Sequence, residues 1–253
     1  MTQQAASFSS VDTLDWHPHP RVKAVFSLKN LRFRKDAAIP GLNLGYNTPE
    51  QDEITNANRE QFFRACGADP AKTSWGLQVH GARVQRVTEP GVYPDTDALV
   101  TSVPGFALGV FVADCAAVLL ADPEAGVIAT AHAGWKGAVA GILPETIRVM
   151  ETAGARAAKL RAFVSPCISA AHFEVGEEVA AQFPEAFVDR NRSRPHVDLK
   201  GFVVHQLLEA GLAKDAIRIA DGCTMGDAER FYSYRREGAK SGRMMGLIQL
   251  LPV

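Results

Sequence analysis

At 253 residues, 47% of them hydrophobic, the chain can bury a substantial core as one large domain or as two merged halves. Its 27 basic and 28 acidic side chains nearly cancel, and no Lys/Arg block stands out, so no nucleic-acid footprint is visible. The longest apolar runs, such as Phe106 to Val112 and Ala116 to Ala121, fall far short of the ~20 residues that cross a bilayer, which excludes a membrane-spanning helix.

Met1 to Val11 is polar and rich in small residues, without the basic start and apolar stretch of a signal peptide. Residues 1–20 therefore read as a loose N-terminal segment, and residues 21–253 as a single catalytic domain. Cys66, Cys115, Cys167 and Cys223 are widely spaced and form no CxxC pair, so reduced thiols in a cytoplasmic compartment are expected. Val22 to Ser27 alternates as a strand, and Gly41 to Gly45 is a glycine-bracketed loop. A helix follows, capped by Asp52 or Thr55 and carrying Ile54, Phe62, Phe63 and Cys66 at helical spacing until Gly67 and Pro70 stop it.

The centre is β-rich. Trp75 to Val79, Arg83 to Val87, Ala98 to Thr101, Ala107 to Val112, Ala117 to Ala121 and Val127 to Ala131 are short apolar or alternating segments, mostly separated by Gly or Pro. Their closeness predicts hairpins rather than βαβ crossovers, which need a helix in each link. Gly137 to Thr152 places Val139, Ile142, Leu143, Thr146, Ile147 and Met150 on one helical face, and Pro144 either kinks that helix or marks its true first turn. Arg161 to Val164 is a strand, Val175 to Phe183 and Leu199 to Ala210 are helical, and Ala216 to Ala220 and Met245 to Leu251 are strands. The expected class is α+β, a single domain of mixed β-sheets packed with helices.

Three segments each place a metal-ligand type at the end of an apolar run: Gln78-Val79-His80-Gly81, Val112-Ala113-Asp114-Cys115 and Ala131-His132-Ala133-Gly134-Trp135. A thiolate with two imidazoles suits zinc and leaves a fourth position open for catalysis. The same donors also hold copper. A lone Cys ending an apolar strand is more often a small buried hydrophobe, and the spacing matches no compact zinc-finger pattern. The flanking residues reverse that balance: His132 precedes a run of small residues that admits close backbone approach, and Cys115 follows an acid inside a run otherwise suited to burial.

Together with Asp97-Ala98-Leu99-Val100-Thr101, Phe173-Glu174-Val175-Gly176, Cys223-Thr224, Phe231 to Arg236 and Gly242-Arg243, these segments resemble the signatures of the multicopper polyphenol oxidase, or laccase-domain, family, now described as purine nucleoside phosphorylases. The resemblance runs in order from about Asn43 onward. It departs at Ser165 to Ala170, where the family has Gly-Pro-x-Ile-Gly-Pro. It implies that His80, Cys115 and His132 bind Zn2+, with Cu2+ as the alternative, and that the substrates are a purine nucleoside and phosphate. The implied activities are phosphorolysis of adenosine, inosine and 5'-methylthioadenosine, and adenosine deamination.

On this reading His80, Cys115, His132 and Asp114 are catalytic, with Asp97 the other nearby motif acid for proton transfer. Asn43, Arg59, Lys136 and Arg235 bind substrate, and Arg236 is a further cation candidate. Trp135, Phe231 and Tyr232 are candidates to stack on a purine. Three alternatives remain open: a copper phenol oxidase, disfavoured by only seven histidines; a cysteine hydrolase with Cys115 as nucleophile and His132 as base, acting on a cell-wall precursor; and a zinc-stabilised interaction domain recruiting Cys167 or Cys223 as fourth ligand.

Overall fold

The segment Ala116–Asp122 is buried along its whole length, so both faces of this strand need an apolar layer, and that requirement sets the architecture. The computed structural model describes residues 11–252. In chain order, β1 (Thr13–His19) and β2 (Val22–Ser27) precede α1 (Asp52–Cys66). The central strands are β3 (Thr73–Gly76), β4 (Val84–Arg86), β5 (Val92–Tyr93), β6 (Ala98–Thr101), β7 (Ala107–Val112), β8 (Ala116–Asp122) and β9 (Val127–Ala133). Then come α2 (Trp135–Val139), α3 (Ile142–Thr152), β10 (Arg161–Val164), α4 (Glu177–Ala180), β11 (Val188–Asp189) and β12 (His196–Val197). The chain closes with α5 (Leu199–Glu209), β13 (Ile217–Ile219), α6 (Tyr234–Glu237) and β14 (Met244–Leu250).

One six-stranded sheet has the order β1-β2-β14-β7-β3-β5 and a second the order β13-β10-β8-β9-β6-β4, while β11 and β12 pair separately. Period-two alternation divides the central strands between two cores. In β8, Ala117, Leu119 and Ala121 point between the sheets and share a core with Leu108, Val110 and Val112 of β7. Val118 and Leu120 belong instead to the core formed with α3 and α5. On the outer face of the first sheet, Val25, Ala107, Met245 and Leu247 pack with Phe62 and Phe63 of α1. The layers are therefore helix, sheet, sheet, helices, an α+β single domain as expected.

Several elements differ from the sequence reading. Thr13–His19, expected within a loose segment, is a strand paired antiparallel with β2, because Trp16 is buried in the inter-sheet core with its ring 6.0 Å from that of Phe163. Residues 1–10 of that segment lie outside the described residues. Hairpins do not dominate the centre: β8 and β9 form one, but β3 runs parallel to both β5 and β7, and β4 parallel to β6. From β3 to β8 the chain alternates between the two sheets, so a parallel neighbour is reached by crossing to the other sheet and back, without a helix. β3 ends at Gly76, where an added Cβ would lie 2.0 Å from the Thr96 carbonyl oxygen, and Leu77 to Val79 belong to a loop.

The expected helix over Gly137 to Thr152 is two helices, broken at Gly141, whose φ of +83° lies in the left-handed region. Pro144 sits in the first turn of α3, where its missing N–H costs no intrahelical bond. Helix α1 begins without a side-chain cap and ends, as expected, at Gly67 in the left-handed conformation. Val175 to Phe183 yields only the short α4.

Candidate metal centre and cavity

The crossings between sheets position the candidate ligands. His80 lies in the loop from β3 to β4, Cys115 in the three-residue crossover from β7 to β8, and His132 on β9. Their ligand atoms lie within 4.8 Å of one another. The His80 and His132 rings meet edge to face with centroids 4.7 Å apart. His80 has a φ of +61° and Asp114, beside Cys115, a φ of +89°, so both ligand-bearing loops hold non-glycine residues in left-handed backbone.

Two side chains pin the His80 loop. Gln78 donates from its amide to the Phe111 carbonyl at 2.8 Å and accepts from the Phe111 N–H at 2.8 Å, imitating a neighbouring strand on β7. Asp97, just before β6, accepts from the Val79, His80 and Gly81 N–H groups at 3.1, 2.9 and 2.8 Å. It also contacts His132 Nδ1 at 2.8 Å. Burial works to raise the Asp97 pKa, but the hydrogen bonds from His132, Gly81 and Val79 and the charge of His132 outweigh it and hold the carboxyl below its usual range.

Burial alone would raise the Cys115 thiol, yet the charge of His132 and hydrogen bonds from His132 and His80 bring it well below an ordinary cysteine. His132 moves the opposite way: burial lowers it, and Cys115 and Asp97 raise it further than burial can offset. Both shifts favour a thiolate beside an imidazolium when no metal is bound, and a cation can take the place of the imidazolium's ring proton. The donor set fits such an ion, with one sulfur, two nitrogens and a cradle that a side chain would fill. A Cβ on Gly134 would lie 2.7 Å from Cys115 Sγ and 3.3 Å from His80 Cδ2. Cys167 and Cys223 do not join the group. Cys223 Sγ accepts from the Ser169 N–H at 3.3 Å and hydroxyl at 3.1 Å, and the Cys167 thiol is buried against the Ile168 carbonyl.

The three candidate ligands line a cavity of about 580 Å³. Arg59, on α1, lines it too, although its side chain is almost wholly buried. Nε donates to the Leu44 carbonyl at 2.8 Å, while Nη1 has no hydrogen-bond partner among the described residues. Tyr46, Phe111 and Trp75 surround the guanidinium at 3.9, 4.5 and 4.9 Å. Burial lowers its pKa to about 10, against the smaller opposing influence of Tyr46, so it stays cationic at neutral pH. Arg235 and Arg243 also line the cavity.

The other sequence candidates fall elsewhere. Asn43 is fully buried outside the lining, with its amide donating to Gly45, Thr48 and Glu50 and its carbonyl accepting from the Gly45 and Arg243 N–H groups. Lys136 is exposed beside Trp135 and does not line the cavity, whereas Trp135 does. Phe231 and Tyr232 are buried in the inter-sheet core. Arg236 donates to the Thr224, Met225 and Phe231 carbonyls and so braces its own loop. Asp114 borders the cavity, but its carboxylate accepts from the Thr224 hydroxyl and the Arg235 N–H, both at 2.6 Å. Gln78, Gly134 and Arg243 were missed as site residues. Each lies in a motif already visible in the chain, and only the fold shows which backbone or sulfur it meets.

The sequence matches, over residues 24–251, the family described as multi-copper polyphenol oxidoreductase laccase. A protein of Deinococcus radiodurans named purine nucleoside phosphorylase is 40% identical, covering 83% of this chain and 82% of that one. One from Streptomyces coelicolor with the same designation is 40% identical over 85% of this chain and 90% of its own length. Among solved structures, the Bacillus licheniformis hypothetical protein YfiH superposes with a TM-score of 0.88 at 25% identity, covering 96% of this chain and 98% of that one. Because the family match spans all three segments that the fold gathers at the cavity, the chain belongs to the multi-copper polyphenol oxidoreductase laccase family.

Proposed function

We propose that this protein is a zinc-dependent purine nucleoside phosphorylase acting on adenosine, inosine and 5'-methylthioadenosine, and that it also deaminates adenosine hydrolytically. The observation that carries this reading is one cavity lined by a His-Cys-His donor set and by a buried arginine with an unused donor nitrogen. The names of the relatives point the same way.

In this reading His80, Cys115 and His132 hold the ion. Two nitrogens and a sulfur, with one position open, favour zinc. Reduction of O₂ to water by a multicopper oxidase needs several copper ions, and these three residues are the one such cluster among the described residues. Bound zinc supplies a Lewis acid that polarises an oxygen and eases loss of a proton from water, the chemistry that deamination needs.

Phosphorolysis joins a phosphate oxygen to the ribose C1' as the bond to the purine nitrogen breaks, so the chain must hold a dianion against a sugar that gains positive charge. Arg59 places a buried positive charge in the apolar wall of that cavity, and Arg235 and Arg243 are further cations that line it, so the three together favour a bound phosphate. Trp135 supplies an aromatic face for the base. Asp114 shapes the turn that carries Cys115, since both of its oxygens already accept hydrogen bonds. Asn43 supports the same cavity indirectly by fixing the Arg243 backbone.

The thiolate-imidazolium character of Cys115 and His132 favours one rival, a cysteine hydrolase. Incubation with adenosine, with and without phosphate and under nitrogen, separates the readings when adenine and inosine are followed separately on metal-analysed protein. Adenine is expected only with phosphate, inosine in either case, and neither after chelation. Turnover retained by a folded, metal-free Cys115→Ala protein removes the metal from the mechanism.

A further inference from the structure

We propose that Asp97 is the positioning residue of this centre: it presents His132 to the metal through Nε2 and locks His80 in its left-handed backbone conformation. The assignment rests on the proposed metal-binding reading and extends it to a residue that touches neither metal nor substrate. Its basis is the hydrogen-bond pattern on the two carboxylate oxygens. Oδ1 lies 2.9 Å from the His80 N–H and 2.8 Å from His132 Nδ1, while Oδ2 accepts from Val79 and Gly81 at 3.1 and 2.8 Å. All four contacts go to ligand residues or their immediate neighbours.

An ionised carboxylate only accepts hydrogen bonds, so the His132 Nδ1 contact requires a proton on Nδ1. The lone pair available to a metal is then on Nε2. Packing holds the ring in that orientation, since His132 is only 3% exposed. The His80 loop has no equivalent packing. His80, Leu77 and Val79 are all exposed, and His80 adopts a φ of +61° that a non-glycine residue does not favour. Three consecutive N–H groups converging on one buried carboxylate offset that backbone cost. Asp97 also reaches β9 through its own backbone, for its carbonyl accepts from the His132 N–H at 2.8 Å. One residue thus sets the spacing between a ligand on a rigid strand and a ligand on an exposed loop.

An asparagine cannot substitute. Its single carbonyl oxygen replaces two acceptors, and its amide nitrogen would face N–H groups that need one. Zinc affinity, measured by competition with a chromophoric chelator, is expected to fall about 10- to 100-fold in Asp97→Asn. Asp122→Asn serves as the control for a buried acid lost elsewhere. Its carboxylate accepts from the Glu124, Ala125 and Arg156 N–H groups at the far end of β8, so it should lower the melting temperature and leave zinc affinity unchanged.

A readout on the unmutated protein keeps the assignment testable if Asp97→Asn does not fold. Long-range ¹H–¹⁵N correlation on the zinc-loaded protein should show His132 protonated at Nδ1 and metal-bound at Nε2. Wild-type protein that binds no zinc sinks the metal centre and this assignment together. Wild-type protein that binds zinc overturns the assignment alone if Asp97→Asn binds equally well, or if His132 coordinates through Nδ1.

Discussion

Gly134 shows how much of the centre depends on the absence of atoms. Its φ of −76° is open to any residue, so replacing it strains no backbone. A methyl there would nevertheless press on Cys115 Sγ from 2.7 Å, closer than real side-chain contacts come. Gly134→Ala is therefore expected to fold with a melting temperature within a few degrees of wild type in the metal-free state, and to lose zinc affinity by tenfold or more. Matched metal content in equilibrium dialysis would show that the sulfur can move aside. The residue types in the three ligand segments could be read from the chain because donor chemistry is local. What could not be read is where hydrogen bonds go. Asn43, in its glycine-bracketed loop, looked like a binding residue, yet its donors and acceptor are used within the fold. Asp97 and Asp114 looked alike as motif acids, yet one holds a candidate ligand histidine and the other a turn.

Among the elements, α6 is too short to be stable by propensity, and its side chains hold it in place. Ser233 caps it by accepting from the Arg236 N–H, and Glu237 joins Lys29 and Arg236 at 3.1 and 3.0 Å. Burial pushes the Glu237 carboxyl up, but hydrogen bonds from Arg236 and Lys29, together with the charge of Lys29, hold it below its ordinary value. A carboxyl lowered in the folded state contributes stability above its unfolded pKa of about 4.3, and that contribution disappears as pH falls through the lower folded value. Glu237→Gln should thus cost about 1 kcal/mol at pH 7, the modest size expected of a partly exposed pair. The gap to wild type should narrow as the pH falls below the unfolded value and close once it passes the lower folded one. Urea melts from pH 7 downward check it, and a gap that does not narrow as the pH falls below the unfolded value contradicts the assignment. Because the Arg235 N–H is tied to Asp114, loosening α6 also disturbs the turn before Cys115. Apolar periodicity in the sequence captured β7, β8, β9 and α5 nearly to the residue. It failed on strand direction, since periodicity says which residues face a core but not which of two sheets a strand joins.

For the molecule as a whole, the candidate ligands gather at one cavity what the chain order separates. His80 and Cys115 lie on links that pass from the first sheet to the second, and His132 belongs to the second sheet itself. An ion held by all three would cross-link those segments in the folded state, whereas the unfolded chain, with these residues 35 and 17 positions apart in sequence, binds it weakly. Folding and metal binding are then linked, and free zinc at 100 times its dissociation constant stabilises by about 2.7 kcal/mol. At about 2–4 °C per kcal/mol for a chain of this size, the melting temperature should rise by roughly 5–10 °C on zinc loading and fall by the same amount on chelation. The gain should shrink as the solution is acidified, because protons compete for the same sulfur and nitrogens. Cys115→Ala, which deletes a donor from a half-buried position, should melt near the metal-free wild type and gain almost nothing from zinc. An equal gain in that variant would place the stabilising ion elsewhere, and the inter-sheet crossings would then be held by the shared core of β7 and β8 alone.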